Sequence, residues 1–336
     1  MDTAFLTGAT GFVGANLCRL LVDRGVAVKA LARKGGDRRN LAQQRVEIIE
    51  GDLLDAAAIA RGVSGCRYVF HVAADYRLWI PDPETMYRAN VEATELVLRA
   101  AAKAGVEKIV HCSSVAAIKV SSQRVPVDEE SEYSDMGEII GHYKKSKYLA
   151  DVLARRLARE EGLPIVTVNP AAPIGPFDIK PTPTGRIVVD FLKGRIPSYI
   201  DTGMNVVHVA DVAMGHWLAA LKGRAGQRYI LGGENLTLKA ILDLMAEVTG
   251  LPGPKFKTPY PLAYAFGAVD TAWARIRGGE PMAPLDAIKM AKHYMWFSSA
   301  KAERELGYTR RPARVALQDA ANWFQANGYA PSRVPS

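Results

Sequence analysis

Tyr143 and Lys147 stand four residues apart within 141–161 of this 336-residue chain, and Ser113-Ser114 precedes them. Residues i and i+4 share a helix face, so phenol and ammonium would look into one site. A phenol titrates near ~10, too high for a base at neutral pH. A neighbouring ammonium favours the phenolate and lowers that value. A serine hydroxyl could then hold a substrate oxygen against the phenol. Tyr-x-x-x-Lys occurs by chance on many exposed helices. Joined to a serine pair at a strand end, it points to proton transfer coupled to hydride transfer.

Hydride transfer needs a dinucleotide, and Thr7-Gly8-Ala9-Thr10-Gly11-Phe12-Val13-Gly14 reads as its site. The apolar run Ala4-Phe5-Leu6 before it predicts a buried strand, and 15–21 predicts a helix. Gly8 permits the tight turn, Gly11 lets backbone N–H groups approach a pyrophosphate, and Gly14 lets helix and strand pack. The helix N-terminus adds partial positive charge there. The spacing is G-x-x-G-x-x-G rather than G-x-G-x-x-G.

Further strands are expected at 26–32, 46–50, 68–72, 108–112 and 164–168, with long helices at 83–104 and 141–161. The position after the second strand reads the adenosine ribose, where an acid suits a 2′-hydroxyl and an arginine a 2′-phosphate. Arg33 stands there, with Lys34, Arg38 and Arg39 close behind, so charge favours NADP(H) over NAD(H). Asp52 and Leu53 follow the third strand; Asp52 would meet the adenine or cap the helix starting near Asp55. Ala73-Ala74 follow the fourth strand and let a cofactor lie on the backbone. His71 is expected to pack between sheet and helix. The cofactor set is completed by Asn90, Ser113, Pro170, Tyr143 and Lys147.

Strands alternating with helices predict an α/β fold, a doubly wound parallel sheet of Rossmann type with a smaller C-terminal lobe. Prolines 170, 173, 176, 181 and 183 end the alternation. The dinucleotide domain is placed at 1–170 plus about 205–230. The substrate lobe takes 171–204 plus about 231–330.

Hydrophobic content of 49% suits a sizeable core. No run approaches a spanning helix, and the immediate first strand leaves no room for a signal peptide. Cys18, Cys66 and Cys112 have no metal spacing and read as reduced thiols, so a cytoplasmic location is expected. The net charge of +8 would permit nucleic-acid or anionic membrane contact. No nucleic-acid motif appears, so the basic residues are assigned to solvated faces and phosphates.

The order of glycine turn, serine pair, tyrosine and lysine resembles the extended short-chain dehydrogenase/reductase family over about residues 3–326. Within it the chain is similar to the dihydroflavonol-reductase-like branch, and more closely to the hopanoid-associated sugar epimerases. The stretches 71–79 (HVAADYRLW), 181–186 (PTPTGR), 229–235 (YILGGEN) and 297–301 (FSSAK) carry that resemblance. It implies Ser114, Tyr143 and Lys147 as catalytic residues. It also implies a small-molecule or lipid-linked sugar or polyol substrate, in hopanoid side-chain metabolism. Two departures stand out. Dehydratases of the family carry acids after the fifth strand, where this chain reads Ser114-Val115-Ala116-Ala117. Nucleotide-sugar epimerases carry an acid where Arg33 stands, so net reduction is expected over epimerisation.

Tyr76, Trp79, Ser114, Thr184 and Arg186 are expected to border the substrate, aromatic rings forming a wall and arginine holding an anionic or hydroxyl-rich group. The alternatives are a non-catalytic NADP-sensing regulator or a membrane-surface module on the same fold. The apolar stretch 261–277, ending in arginines, could lie on the inner membrane surface, line a homodimer interface, or be buried in the substrate lobe.

Overall fold

The computed structural model describes residues 1–331, and the apolar runs of its first half become a seven-stranded, all-parallel sheet. The strands are β1 (Thr3–Thr7), β2 (Ala27–Ala32), β3 (Val46–Glu50), β4 (Tyr68–His71), β5 (Lys108–Cys112) and β6 (Ile165–Pro170). Outside this sheet lie β7 (Ala172–Ile174), β8 (Ser198–Tyr199) and β9 (Gly203–His208), and β10 (Arg228–Leu231) returns to its edge. The order is β10-β6-β5-β4-β1-β2-β3. The direction of winding thus reverses between β1 and β4, where a crevice opens at the strand C-termini.

Both faces of a parallel sheet are covered, which is why its strands read as apolar runs without alternation. Ala4, Leu6, Phe70, Val110 and Val168 pack with α1 (Phe12–Asp23). Phe5, Val69, Ile109 and Ile165 pack with α2 (Ala56–Val63) and with two long helices further along the chain. The stretch expected as one helix over 83–104 is interrupted. α3 (Pro83–Tyr87) passes through a π-turn, Arg88–Glu92, into α4 (Ala93–Lys103). The π-turn carries Asn90. α5 (Gly141–Glu160) is the second long helix.

The chain leaves the main sheet after β6, and α6 (Pro183–Leu192) is the first helix beyond it. The return to the main sheet, expected near 205–230, is made by α7 (Val209–Lys222), packed with α1 in one core, and by β10. β9 falls within that stretch yet belongs to a small sheet of order β11-β9-β13, with β7 paired to β9. Its other strands are β11 (Glu234–Thr237) and, after the short β12 (Phe256–Lys257), β13 (Tyr294–Met295). α8 (Leu238–Thr249) packs here, α9 (Tyr260–Arg277) lies on the outside, and α10 (Leu285–Met290) sits beneath it. α11 (Ala300–Leu306) joins the α7 core, while α12 (Ala313–Ala326) closes the lobe's own core over Val188, Ile241 and Phe324.

Candidate active site

The crevice is shaped by glycines with no room for a side chain. Gly8 has φ +78, and a Cβ there would lie 2.6 Å from the Ala73 nitrogen. A Cβ on Gly14 would lie 2.1 Å from the Gly8 carbonyl oxygen. β1, the turn, α1 and the end of β4 therefore meet at backbone distance. Gly11 is the N-cap of α1 and no side chain caps that helix. Its first-turn N–H groups remain available to an anion.

From this turn a cavity of about 1150 Å³ runs along the strand ends into the second lobe. Gly8, Thr10, Gly11, Phe12, Val13, Gly14, Arg33, Asp52, Leu53, Ala73, Ala74, Ser113 and Pro170 line it, as do Ser114, Tyr143 and Lys147. Arg33 is exposed and makes no ion pair among the described residues. It also lines an annex of about 170 Å³ with Asp37, Tyr76 and Lys180. The glycine cradle and the uncapped helix fit the pyrophosphate of a nicotinamide dinucleotide. The cap of α2 is Asp55, whose carboxylate accepts from the Ala58 N–H at 3.0 Å, so Asp52 is left on the wall.

Three residues expected on the cofactor lie off the wall. Arg38 pairs with Glu50 at 2.6 Å, which draws it across β3. Lys34 is exposed beyond the rim. Asn90 is buried beneath the wall, because the π-turn aims its amide at backbone. Its Oδ1 accepts from the Asp75 N–H at 2.7 Å, and its Nδ2 donates to the Asp75 carbonyl and to Ser146 Oγ. Asn90 thereby fixes the loop after β4 without touching the cavity.

Tyr143 Oη donates to Ser114 Oγ at 3.4 Å. Ser114 Oγ also accepts from the Ala116 N–H at 3.1 Å, as N-cap of the short turn Val115–Ala117. Lys147 Nζ is buried and donates to the Cys112 carbonyl at 2.9 Å. The expectation that lysine lowers the tyrosine's acidity range is corrected. Burial pushes the Tyr143 phenol above its usual value, and only the Ser114 hydrogen bond opposes that. The ammonium is committed to a strand-end carbonyl, and its own value is lowered by burial. Tyr143 therefore carries its proton at neutral pH.

A polar network holds this edge of the sheet. Asp151, one turn beyond Lys147 on α5, is fully buried. Its Oδ2 lies 2.8 Å from Arg155 and 3.5 Å from buried Arg228. Its Oδ1 accepts from Asn169 Nδ2 at 3.0 Å, and the same Nδ2 donates to the Ser114 carbonyl at 2.9 Å. Arg228 also bonds the Glu129 carbonyl and pairs with Glu132 at 2.9 Å. His71 packs as expected: its ring nitrogens meet Thr7 Oγ1 at 2.8 Å and Thr94 Oγ1 at 2.9 Å. Burial lowers it to about 3, so it is neutral.

Of the expected substrate contacts, Tyr76 and Thr184 line the cavity and Trp79 and Arg186 do not. Leu78 takes the wall position beside half-buried Trp79. Arg186 is exposed on α6, where Thr184 turns inward and donates to the Pro173 carbonyl at 2.8 Å. Several wall residues were not foreseen. Lys144 is buried, lines the cavity and has no ion pair among the described residues; burial lowers it to about 8. Ile187, Met204, Met290, Met295 and Phe297 give the far end an apolar surface. No group of three or more metal-ligating side chains occurs among the described residues.

The profile of the NAD dependent epimerase/dehydratase family matches residues 4–232. A Synechocystis sp. protein, provisionally named dihydroflavonol 4-reductase, is 44% identical over 98% of this chain and 96% of its own length. Sterol demethylase protein B of Methylococcus capsulatus is 31% identical over 97% of this chain and 99% of its own. The crystal structure of gox2253 superposes with a TM-score of 0.88 at 46% identity, covering 98% of this chain and 100% of that one.

Proposed function

The chain belongs to the NAD dependent epimerase/dehydratase family, the extended short-chain dehydrogenase/reductase enzymes, and from that premise we propose that it is an NADP(H)-dependent reductase of a carbonyl borne by a largely apolar molecule. The observation that carries the reading is the contact of Tyr143 with Ser114 inside the cavity, with the phenol held in its protonated form.

A nicotinamide cofactor supplies the hydride when bound. Gly8, Gly11, Gly14 and the first turn of α1 would hold its pyrophosphate, and Arg33 would pair with a 2′-phosphate. Lys147, anchored on the Cys112 carbonyl, would serve the nicotinamide ribose. Ser114 Oγ holds the substrate oxygen, and Tyr143 Oη donates its proton to that oxygen as negative charge develops there. Burial keeps the phenol protonated, the form that can give its proton to a carbonyl oxygen as hydride arrives, and Arg33, standing where an acid would suit a tightly held NAD, supports net reduction over epimerisation.

Ile187, Met204, Met290, Met295 and Phe297 line the far end of the cavity, and Leu78 and Val115 add apolar surface nearer the strand ends, favouring an isoprenoid or polycyclic body over a nucleotide sugar. Thr184 and the unpaired Lys144 supply polar contacts near the reacting end. The sugar or polyol reading thus narrows to one carried by a lipid, such as a hopanoid side chain. The relative named for sterol chemistry supports that choice. A panel of steroid and isoprenoid ketones set against nucleotide sugars tests it by NADPH absorbance. Stoichiometric loss of NADPH with a ketone is expected, and turnover confined to nucleotide sugars would refute the reading.

A further inference from the structure

α9 is amphipathic the wrong way round for a helix of a soluble lobe. The side chains it buries are small: Ala263, Gly267, Thr271 and Ala274. Gly267 packs against Ile288 of α10, where a Cβ would come within 2.9 Å of the Ile288 side chain. Its large apolar side chains point outward. Leu262, Phe266, Val269, Trp273 and Ile276 are 64%, 54%, 71%, 57% and 77% exposed. Their alternating spacings of four and three residues make a continuous stripe along the outer face. Scattered exposed apolar residues are ordinary; an unbroken stripe marks an interaction surface.

The charges around the stripe are mostly basic, with Glu280 the exposed acid just past the end of α9. Lys255, Arg275, Arg277 and Lys292 make no ion pair among the described residues. Asp270, an acid on α9, is engaged by the Ala283 N–H at 2.8 Å. We propose that α9 docks the protein onto an anionic lipid surface, lying in the interface plane with its stripe among the acyl chains and its basic C-terminal end at the headgroups. An exposed tryptophan beside phenylalanine and tyrosine suits the boundary between headgroup and hydrocarbon. A second copy fits less well. The helix is about 27 Å long and roughly 10 Å wide, a face well short of the ~800 Å² per partner of a standard interface. No helix among the described residues is long and apolar enough to cross a membrane, so contact would be peripheral. α10 packs against α9, and its Ala287 and Met290 line the cavity. A docked α9 therefore sets the cavity beside the lipid. The inference stands on α9 itself and survives any revision of the reaction.

Flotation of the whole chain with phosphatidylcholine vesicles, with and without phosphatidylglycerol, tests it. Wild type should float with the phosphatidylglycerol vesicles. The triple substitution Val269→Ser, Trp273→Ser, Ile276→Ser should reduce binding by about tenfold or more, as should Arg275→Glu with Arg277→Glu. NADPH binding and the thermal midpoint should be retained in both, since these side chains touch solvent. Failure of wild type to float, or flotation of either variant equal to wild type, would overturn the proposal. So would a dimer in light scattering that the serine variant makes monomeric, because the stripe would then belong to a second copy.

Discussion

Tyr143 donates to Ser114 across 3.4 Å, at the point where the cavity leaves the glycine turn and enters the second lobe. The two residues come from different elements, one at the end of β5 and one in the first turn of α5, and both are backed by buried polar groups. Tyr143→Phe keeps the ring and removes the proton. Turnover should fall by about 10²–10⁴-fold with NADPH affinity unchanged, measured by steady-state kinetics beside a binding titration. Near-wild-type turnover would remove Tyr143 from proton transfer.

Arg33 is the unpaired cation after β2. Its removal as Arg33→Ala should weaken NADPH binding by about tenfold or more, as expected for a charge-assisted contact. NADH binding should hardly change. Parallel losses for both cofactors, read by fluorescence titration, would move the 2′-phosphate contact elsewhere, with Lys180 the next candidate.

Asp151→Ala would leave Arg228 and Arg155 with Glu132 as their remaining carboxylate and free Asn169 from one partner. Breaking a buried ion pair from one side costs about 3 kcal/mol. Chemical denaturation should show a loss of that order. kcat should also fall in the folded variant, because Asn169 positions the Ser114 backbone.

Lys144 has its value lowered in the folded chain to about 8, from an ordinary 10.5. Above 10.5 the ammonium is absent from both states and nothing is lost. As pH falls from about 10.5 to about 8, the unfolded chain takes up the proton and the folded chain does not, so stability is lost across that window and the full loss is present below about 8. Lys144→Met should therefore be more stable than wild type at pH 7, by up to about 3 kcal/mol at ~1.4 kcal/mol per unit. The difference should shrink between pH 8 and 10.5 in a series of denaturation midpoints. A constant difference across that range would show that Lys144 is solvated in the native state.

The parallel sheet, the glycine turn and the shared face of Tyr143 and Lys147 were legible because each rests on a local pattern. Gly8 and Gly14 declare a backbone approach, and Tyr143 and Lys147 share a face by helical period alone. The break at Arg88–Glu92 was not, since a π-turn carries no breaker residue, and it turned Asn90 from the cofactor to the Asp75 backbone. Arg38 was misplaced because its ion pair with Glu50 crosses from one strand end to the next. The far wall was illegible for a similar reason. Met204, Met290 and Phe297 reach the cavity only through the fold of the second lobe, and an apolar residue in sequence does not say which cavity it faces. Lys144 did leave a signal, an extra lysine beside Tyr143, but only burial distinguishes it from a solvated one.

The central claim is net reduction with Tyr143 as proton donor. Its most direct measurement follows deuterium from NADPH labelled at the transferred position into an isoprenoid or steroid ketone substrate. One label per alcohol formed, with equal loss of NADPH and no label transfer by Tyr143→Phe, is the predicted result. Product appearing with no net loss of NADPH, and with the label returned to the cofactor, would mean epimerisation and would contradict the account.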